Sequence, residues 1–541
     1  MNAGEVGALE AFNAAQQPRP IAGVDAPRRG PVMGAHYAVA TDHPLASLTA
    51  MNVLQSGGNA IDAAIAASAV NVVTKPNRTH LGGDAFVLIS HKDSGRVECL
   101  NAGGRAPARA TLDAFKDGIP RSGHLSSTLP GLVDTWVELH ARCGSKPLAQ
   151  LIQPAISFCS EGFPVSLHLA GAMTSLLSTS EEALRKVFLK EGEPYRPGET
   201  FRQPELAETL GSIAADGREG FYGGRVGRMI AAAMAGAGGL IDLDDLARPT
   251  AHWQEPLATS YRGCTVYEQA LPSQGIILLE ALNIVERFPI REWGLASPDS
   301  VHVMVEATRL AFADLRRYGA DTDFEEVRVE WLLSDEHARE QANRVDLKRA
   351  TAVTAFPISS DTTSFVVADE TMVVCYIQSV FFAWGSRFVV PGTGILMNNR
   401  MNGFHIDPAS PNHLAPHKRT VHTLNNFLAV KDGRVVVGGA TPGADFQVQT
   451  NLQVIAGVLD WGLDIQGALD TPRWATSTGG TLSVETRLAP ALRDELIARG
   501  HELRLSGPWG ARACSEVIAS LGGGGWAVAS DLRGEGLALA L

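Results

Sequence analysis

The chain has 541 residues, of which 45% are hydrophobic and 19% charged, a composition that excludes wholesale disorder and permits a large buried core. Its 46 Lys and Arg residues against 58 Asp and Glu residues give a formal net charge of −12, which disfavours nucleic acid and anionic membranes as partners. There is no apolar run of about 18 residues and no secretory signal pattern at the N-terminus, so we expect a soluble, cytoplasmic protein.

The predicted elements begin after an N-terminal arm. Residues 1–33 are rich in Ala, Gly and Pro and are expected to lie loosely on the surface. From residue 34 onward, apolar runs of strand length alternate with patterns of helical period. These patterns predict a strand at 37–40 and helices at 44–55, 59–73, 147–161, 206–215, 276–287 and 300–317.

Strands dominate the last third of the chain. Residues 362–368 and 372–379 are both β-rich and are separated by Asp369, Glu370 and Thr371, which predicts a hairpin. We therefore expect a helix-rich segment at 34–361 and a sheet-rich segment at 362–541, folded together as one globule. Further strands are predicted at 387–390, 427–430 and 435–438, a helix at 447–459 and a hairpin turn at 522–525.

Three local patterns indicate ordinary structure. The six cysteines form no C-x-x-C pair, which predicts reduced, mostly buried thiols. The glycine-rich stretch 236–239 lacks the spacing of a phosphate loop and is interpreted as a helix end. His413, His417 and His422 fall within ten residues, mostly in a loop that contains Pro411 and Pro416, so a metal site there is the less favoured alternative. We expect no metal site and no organic cofactor.

Short motifs follow one another in a recognisable order along most of the chain. Together they resemble the γ-glutamyltransferase family of N-terminal-nucleophile hydrolases, over about residues 34–541. The resemblance implies an α+β fold, a four-layer αββα sandwich, and an enzyme that cleaves amide bonds. The motifs lie at 42–47, 57–64, 81–83, 129–131, 161–165, 272–275, 309–314, 359–367 and 384–401.

The resemblance also implies the catalytic residues. In this family a precursor cuts itself before a threonine at the head of a strand; here the matching bond joins Asp361 to Thr362. The freed α-amino group, with a pKa of about 7.7 to 8.0, can act as base for the threonine's own hydroxyl. Thr363 matches a second threonine that orients the first. Gly443 and Ala444 match a turn whose N–H groups face the oxyanion. A plain strand threonine and a plain turn are the alternatives.

The family's binding site for the α-carboxylate of a γ-glutamyl donor is altered in this sequence. The arginine of that site falls on Gly103, and its serine pair falls on His422 and Thr423. Arg105, two residues after Gly103, either replaces the arginine or solvates a loop.

The positions that bind the donor's α-ammonium group also differ. They fall on or near Ser379, on Arg400 and on Gly403. Losing an anion and gaining a cation disfavours an ammonium group and favours an acyl group that carries a carboxylate; an Arg400 paired elsewhere on the surface is the alternative. Asn399 is a neighbouring candidate. Period-2 alternation turns either Gln378 or Ser379 toward the pocket, and the sequence leaves that choice open.

We therefore expect a self-processing threonine amidohydrolase, closer to the family's cephalosporin acylases and oxamate amidohydrolase than to its transpeptidases. The expected substrate is a small amide with a carboxylate on the acyl side, such as oxamate or a dicarboxylic monoamide. Large and small chains of one precursor stay together, and a homodimer of the processed unit is left open. One alternative is a γ-glutamyltransferase (glutathione hydrolase) with a donor site rebuilt from Arg105, His422 and Thr423. Another is an unprocessed homologue that acts as a binding protein.

Overall fold

The computed structural model describes residues 29–351, 362–476, 480–511 and 513–541. Among these residues no helix is both long and apolar enough to cross a membrane. The strands of the described chain are β1 (Val32–Gly34), β2 (Ala38–Thr41), β3 (Asp84–His91), β4 (Val97–Asn101), β5 (Phe163–Pro164), β6 (Thr200–Phe201), β7 (His252–Gln254), β8 (Leu257–Tyr261), β9 (Cys264–Glu268), β10 (Thr363–Ala368), β11 (Met372–Ser379), β12 (Val389–Val390), β13 (Ile395–Leu396), β14 (Asn426–Lys431), β15 (Arg434–Ala440), β16 (Trp474–Thr476), β17 (Leu482–Glu485), β18 (Leu503–Ser506), β19 (Glu516–Ser520), β20 (Trp526–Ser530) and β21 (Leu537–Ala540).

Helices are concentrated in the first two thirds of the chain. Their bounds are α1 (Pro44–Gln55), α2 (Ala60–Thr74), α3 (Leu132–Cys143), α4 (Leu148–Glu161), α5 (Leu167–Thr174), α6 (Glu182–Phe188), α7 (Pro204–Asp216), α8 (Arg218–Tyr222), α9 (Arg225–Ala237), α10 (Leu243–Ala247), α11 (Gly275–Val285), α12 (Ile290–Trp293), α13 (Pro298–Tyr318), α14 (Val329–Leu332), α15 (Asp335–Ala342), α16 (Phe446–Leu459), α17 (Ile465–Asp470) and α18 (Pro490–Ala498).

Two seven-stranded antiparallel sheets form the centre of this α+β fold, and helices flank them. The first sheet has the order β21-β2-β10-β11-β3-β4-β7 and the second the order β1-β20-β19-β15-β14-β9-β8. Each sheet takes strands from both sides of residue 361, so the segments 34–361 and 362–541 share both sheets.

Three buried apolar clusters hold the layers together. One lies between the two sheets and includes Ala40 and Leu88 of the first sheet and Leu428 and Ile518 of the second. Another joins the first sheet to helices such as α2, α3 and α4. The third joins the second sheet to α11, α13 and α16. Each sheet is therefore covered on both faces.

The structure confirms most of the predicted elements and corrects others. Helix α1 and strand β11 have the predicted bounds. Helix α9 ends before Gly238, as the glycine-rich stretch predicted, and the φ of +82° at Gly238 is the left-handed conformation typical of a helix end. All six cysteines are free thiols. The strand predicted at 387–390 shrinks to Val389–Val390, and β1 starts inside the predicted arm because it pairs with β20.

Helix α2 packs against the helix-covered face of the first sheet, at the central hairpin β10–β11. It is Ala-rich and buried along its whole length, so small side chains let it pack closely against the sheet. Its N-terminus carries a capping box between Asn59 and Asp62. Another first-turn amide, Ala60 N–H, donates to Asp369 Oδ2 at 2.7 Å.

Asp369 also forms the hairpin turn itself. Its Oδ1 accepts from Thr371 N at 2.7 Å, from Thr371 Oγ1 at 2.7 Å and from Met372 N at 2.9 Å. A three-residue connection thereby replaces the usual two-residue turn. One carboxylate joins the hairpin that follows Thr362 to the helix beneath it.

We predict that Asp369→Ala lowers the free energy of unfolding by about 2 kcal/mol, because it removes charge-assisted hydrogen bonds to the turn and to α2. Urea unfolding followed by tryptophan fluorescence measures the change. Glu370→Ala is the matched control: its side chain is 66% exposed, and we expect less than about 0.5 kcal/mol. Equal effects of the two substitutions would contradict this role of Asp369.

Candidate active site

Thr362 lies immediately before β10 and is fully buried. Its Oγ1 donates to the Oγ of Ser379, the last residue of β11, at 3.3 Å. Ser379 Oγ also accepts from the Phe381 amide at 2.8 Å. The hydroxyl of the predicted nucleophile is thus held where the hairpin strand β11 ends and a loop begins.

The structure resolves which end residue of β11 faces Thr362. Gln378 is paired in register with Thr363, and paired residues of adjacent strands share one face of a sheet. The Gln378 amide hydrogen bonds to Ser68 of α2, through Ser68 Oγ and through the Ser68 carbonyl at 3.3 Å. Gln378 therefore faces the helix layer and Ser379 faces the site. Of the two candidates between which the sequence left the choice open, Gln378 is therefore the one turned away from Thr362, because α2 occupies that face of the sheet.

Gly82 and Gly83 allow a loop to pass very close to this end of β11. A Cβ at Gly83 would lie 2.4 Å from the Ser379 carbonyl oxygen, and one at Gly82 would lie 2.4 Å from the Leu396 carbonyl oxygen. Any larger residue would push these segments apart. The next residue, Asp84, begins β3 opposite Ser379.

Asp84 is the centre of a fully buried polar cluster. Its Oδ1 accepts from Gly104 N at 2.9 Å. Its Oδ2 lies 3.4 Å from Arg400 Nε and 3.2 Å from His422 Nε2. The sequence prediction missed Asp84, although an acidic residue at the head of an apolar strand, directly after two glycines, was a usable signal.

Arg400 is fully buried in this cluster, so the alternative of a surface arginine is wrong. Its Nη1 donates to Thr423 Oγ1 at 3.2 Å, and its guanidinium lies 4.0 Å from the centre of the Phe381 ring. Its Nη2 is buried and has no hydrogen-bond partner in the described part of the chain. Burial lowers the pKa of Arg400 to about 10 and Asp84 opposes the shift, so the side chain stays charged at neutral pH.

His422 is neutral in this arrangement. Its Nδ1 accepts from Leu424 N at 3.2 Å, so the proton resides on Nε2, which donates to Asp84. Burial and then the Arg400 charge lower the pKa of His422 to about 4. The ring packs on Phe86 with centroids 4.5 Å apart. The cluster thus holds one anion and one cation, a correction to the excess cation that the sequence predicted.

Two consecutive asparagines position the segment that carries Arg400. Asn398 Oδ1 accepts from Arg400 N at 2.9 Å, and its Nδ2 donates to Gly82 O at 2.8 Å. Asn399 Oδ1 accepts from Phe382 N at 3.0 Å. Phe381 has a φ of +81°, a strained conformation for a bulky residue. Asn399 therefore supports the strained loop that places the Phe381 ring under Arg400.

The predicted oxyanion turn follows β15, which is attached to β10 by a bond from Ser364 Oγ to Ala440 O at 3.0 Å. Gly443 and Ala444 have φ values of +122° and +52°. Ala444 thus accepts the left-handed region at a cost of roughly 1 kcal/mol. Gln274 Nε2 donates to the carbonyls of Ala444 at 2.9 Å and Thr423 at 2.7 Å. The turn is thereby joined to the Arg400 cluster.

Three further candidates from the sequence are Arg105, Thr363 and Asp361. Arg105 donates to Asp323 Oδ2 at 2.7 Å and to His417 O at 2.9 Å, so its guanidinium is committed away from the Asp84 cluster. Thr363 Oγ1 has no hydrogen-bond partner among the described residues. Asp361 lies outside the described residues.

Comparison with known proteins identifies the family. The family model for gamma-glutamyltranspeptidase matches residues 46–541. The chain belongs to the γ-glutamyltranspeptidase family. It is accordingly an enzyme of the hydrolase and acylase group that acts on amide bonds.

Relatives that the chain resembles span nearly its full length. It is 34% identical over 529 residues to the glutathione hydrolase-like YwrD proenzyme of Bacillus subtilis, covering 94% of this chain and 99% of that protein. It is 34% identical over 489 residues to the oxamate amidohydrolase proenzyme of Klebsiella pneumoniae, covering 87% and 92%. The crystal structure of cephalosporin acylase from Bacillus halodurans superposes with a TM-score of 0.90 at 34% identity, covering 97% of this chain and 99% of that one.

We predict that His422 stays neutral, with its proton on Nε2, from pH 8 down to about pH 5. Its folded pKa of about 4 lies below the usual 6.5, so the unfolded chain binds more protons between these values. The contribution of His422 to stability is therefore present above pH 6.5 and is lost as the pH falls toward 4. Ring ¹⁵N chemical shifts, assigned with His422→Gln, measure this directly. A midpoint near 6.5 would disprove the burial of a neutral ring.

Proposed function

We propose that this protein is a self-processing threonine amidohydrolase with the four-layer αββα architecture of N-terminal-nucleophile hydrolases. The observation that carries the proposal is the position of Thr362: buried, at the head of β10, with its hydroxyl against Ser379. Cleavage of the Asp361–Thr362 bond gives Thr362 a free α-amino group beside its own hydroxyl. The proenzyme relatives and the family match support such processing.

In the proposed reaction the Thr362 amino group removes the hydroxyl proton, and Oγ1 attacks the substrate carbonyl carbon. The N–H groups of Gly443 and Ala444 stabilise the oxyanion. The amine leaves with the proton, and an ester links the acyl group to Thr362. Water, deprotonated by the same amino group, then hydrolyses the ester. Ser379 orients the Thr362 hydroxyl through the 3.3 Å contact.

The acyl group in this proposal carries a carboxylate, which binds Arg400. The supporting observation is the buried Nη2 of Arg400, which has no hydrogen-bond partner among the described residues, because a buried charged donor without an acceptor is costly. Asp84 holds the guanidinium from the Nε side, and Thr423 holds it through Nη1. A short dicarboxylic monoamide, with oxamate as the smallest member, offers the missing acceptor.

A γ-glutamyl donor is the second candidate, and Asp84 is the observation in its favour. A carboxylate in the site could receive the donor's α-ammonium group. Its two oxygens, however, already accept from Gly104, Arg400 and His422. Turnover of a γ-glutamyl anilide faster than of a dicarboxylic monoamide would establish this candidate over the first.

We predict that Thr362→Ala prevents both chain cleavage and turnover, lowering kcat by about 10³-fold or more, because nucleophile and base are lost together. Thr362→Ser, which keeps a hydroxyl and the future amino group, is expected to retain measurable processing and activity. Denaturing gels and ammonia release measure the two effects. A Thr362→Ala protein that is still cleaved would refute the assigned bond, and one that is cleaved and active would refute the nucleophile.

We predict that replacing the buried pair together, Asp84→Asn with Arg400→Gln, lowers kcat/KM for succinamate by about 100-fold, the loss of one charge-assisted hydrogen bond. The double substitution avoids leaving one charge unpaired. Kinetics with butyramide, which lacks the carboxylate, are the control for general damage to the site and should fall far less than those with succinamate. Equal losses on both amides would remove Arg400 from the acyl site.

A further inference from the structure

A second buried polar cluster lies in the helix layer behind the second sheet. Glu280 of α11, Asp314 of α13 and His337 of α15 each offer one ligand atom, and these atoms all lie within 4.8 Å of one another. All three residues are buried. The reaction proposed above uses none of them.

Among the described residues, Glu280 lacks the hydrogen-bond partners that a buried carboxylate needs. It is 2% exposed, and neither of its oxygens has a hydrogen-bond partner within the residues that the structure describes. Asp314 Oδ2, in contrast, lies 2.8 Å from His337 Nε2 and accepts from Gln341 Nε2. Two neighbouring buried carboxylates repel each other unless a cation or a shared proton lies between them.

The donor set fits a divalent transition metal ion. Two carboxylates and one imidazole are ligands that zinc accepts in tetrahedral geometry at about 2.0 to 2.2 Å, so two donors to one ion are about 3.4 Å apart. Manganese accepts the same ligand types. The three ligand atoms lie within 4.8 Å of one another, so side-chain shifts of about 1 to 1.5 Å would bring them onto one ion.

A neighbouring cluster contains a buried carboxylate whose two oxygens both have hydrogen-bond partners. His302, Glu306 and His501 also lie within ligand distance of one another. There, Glu306 Oε1 accepts from Arg309 Nη1 at 2.8 Å and Glu306 Oε2 accepts from Thr351 N at 3.0 Å. Protein groups hydrogen bond to that carboxylate, whereas the described residues offer Glu280 no such partner.

We propose that Glu280, Asp314 and His337 bind one divalent transition metal ion, zinc or manganese, that joins α11, α13 and α15. The ion has a structural role. Helix α11 begins directly after Gln274, whose amide holds the carbonyls of Thr423 and Ala444. The ion therefore anchors the helix that supports the oxyanion turn. This departs from the expectation of a metal-free protein.

The test measures metal content and thermal stability of tag-free protein. Wild type, dialysed after exposure to ZnCl₂ or MnCl₂, should retain about one equivalent of one of these ions per chain. A strong chelator should lower the melting temperature, and the same ion should restore it. Glu280→Gln should bind the ion at least about tenfold more weakly. Glu306→Gln, a buried carboxylate on the same helix α13 as Asp314, is the control and should retain it.

Two outcomes would overturn the proposal. One is wild-type protein that retains neither ion and whose melting temperature is indifferent to both, which would assign a shared proton to the carboxylate pair. The other is undiminished binding by Glu280→Gln. The wild-type result decides the question even if a variant fails to fold. Because the readout is metal content, failure of this proposal is independent of the amidohydrolase proposal.

Discussion

The buried carboxylate of Asp84 is the interaction on which the site depends. It joins three segments that are far apart in sequence: the turn at Gly104, the segment of Arg400 and the strand entry at His422. Arg400 is fully buried, and an isolated charge there would be prohibitive. Removal of one member of such a pair costs about 3 to 5 kcal/mol. Asp84 thus offsets the free-energy cost of burying the Arg400 charge. It follows two tightly packed glycines directly, so the backbone at this position has little room to move.

The sheets bring this cluster to Thr362. Strand β11 pairs with β10 on one side and with β3 on the other, so Thr362, Ser379 and Asp84 meet at one end of three adjacent strands. The hairpin turn at Asp369 connects β10 and β11 at their other end. Helix α2 packs against one face of these strands and is joined to the turn by the Ala60–Asp369 hydrogen bond. A single antiparallel arrangement therefore positions both the proposed nucleophile and the proposed acyl-binding residues, and the strained Phe381 loop lies between them.

The elements that could be predicted from the sequence are those set by interactions between residues close together in the chain. Helix α1, with its proline at the first turn, and hairpin β10–β11 follow from local patterns. Arg400 and His422, the side-chain partners of Asp84, lie 316 and 338 residues away, so no local pattern joins them. Which of Gln378 and Ser379 faces the site depends on the face of the sheet that α2 covers. That face is set by tertiary packing and not by the sequence of β11. Short strands such as β7 and β8 were missed because their stability comes from sheet neighbours rather than from propensity.

The central claim is that Thr362 becomes the N-terminus of a second chain. The most direct measurement is the intact mass and N-terminal sequence of the purified wild-type protein after prolonged incubation at neutral pH. The account predicts two chains that remain associated, the smaller of which begins at Thr362. A persistent single chain of 541 residues, or a new N-terminus at any other residue, would contradict it.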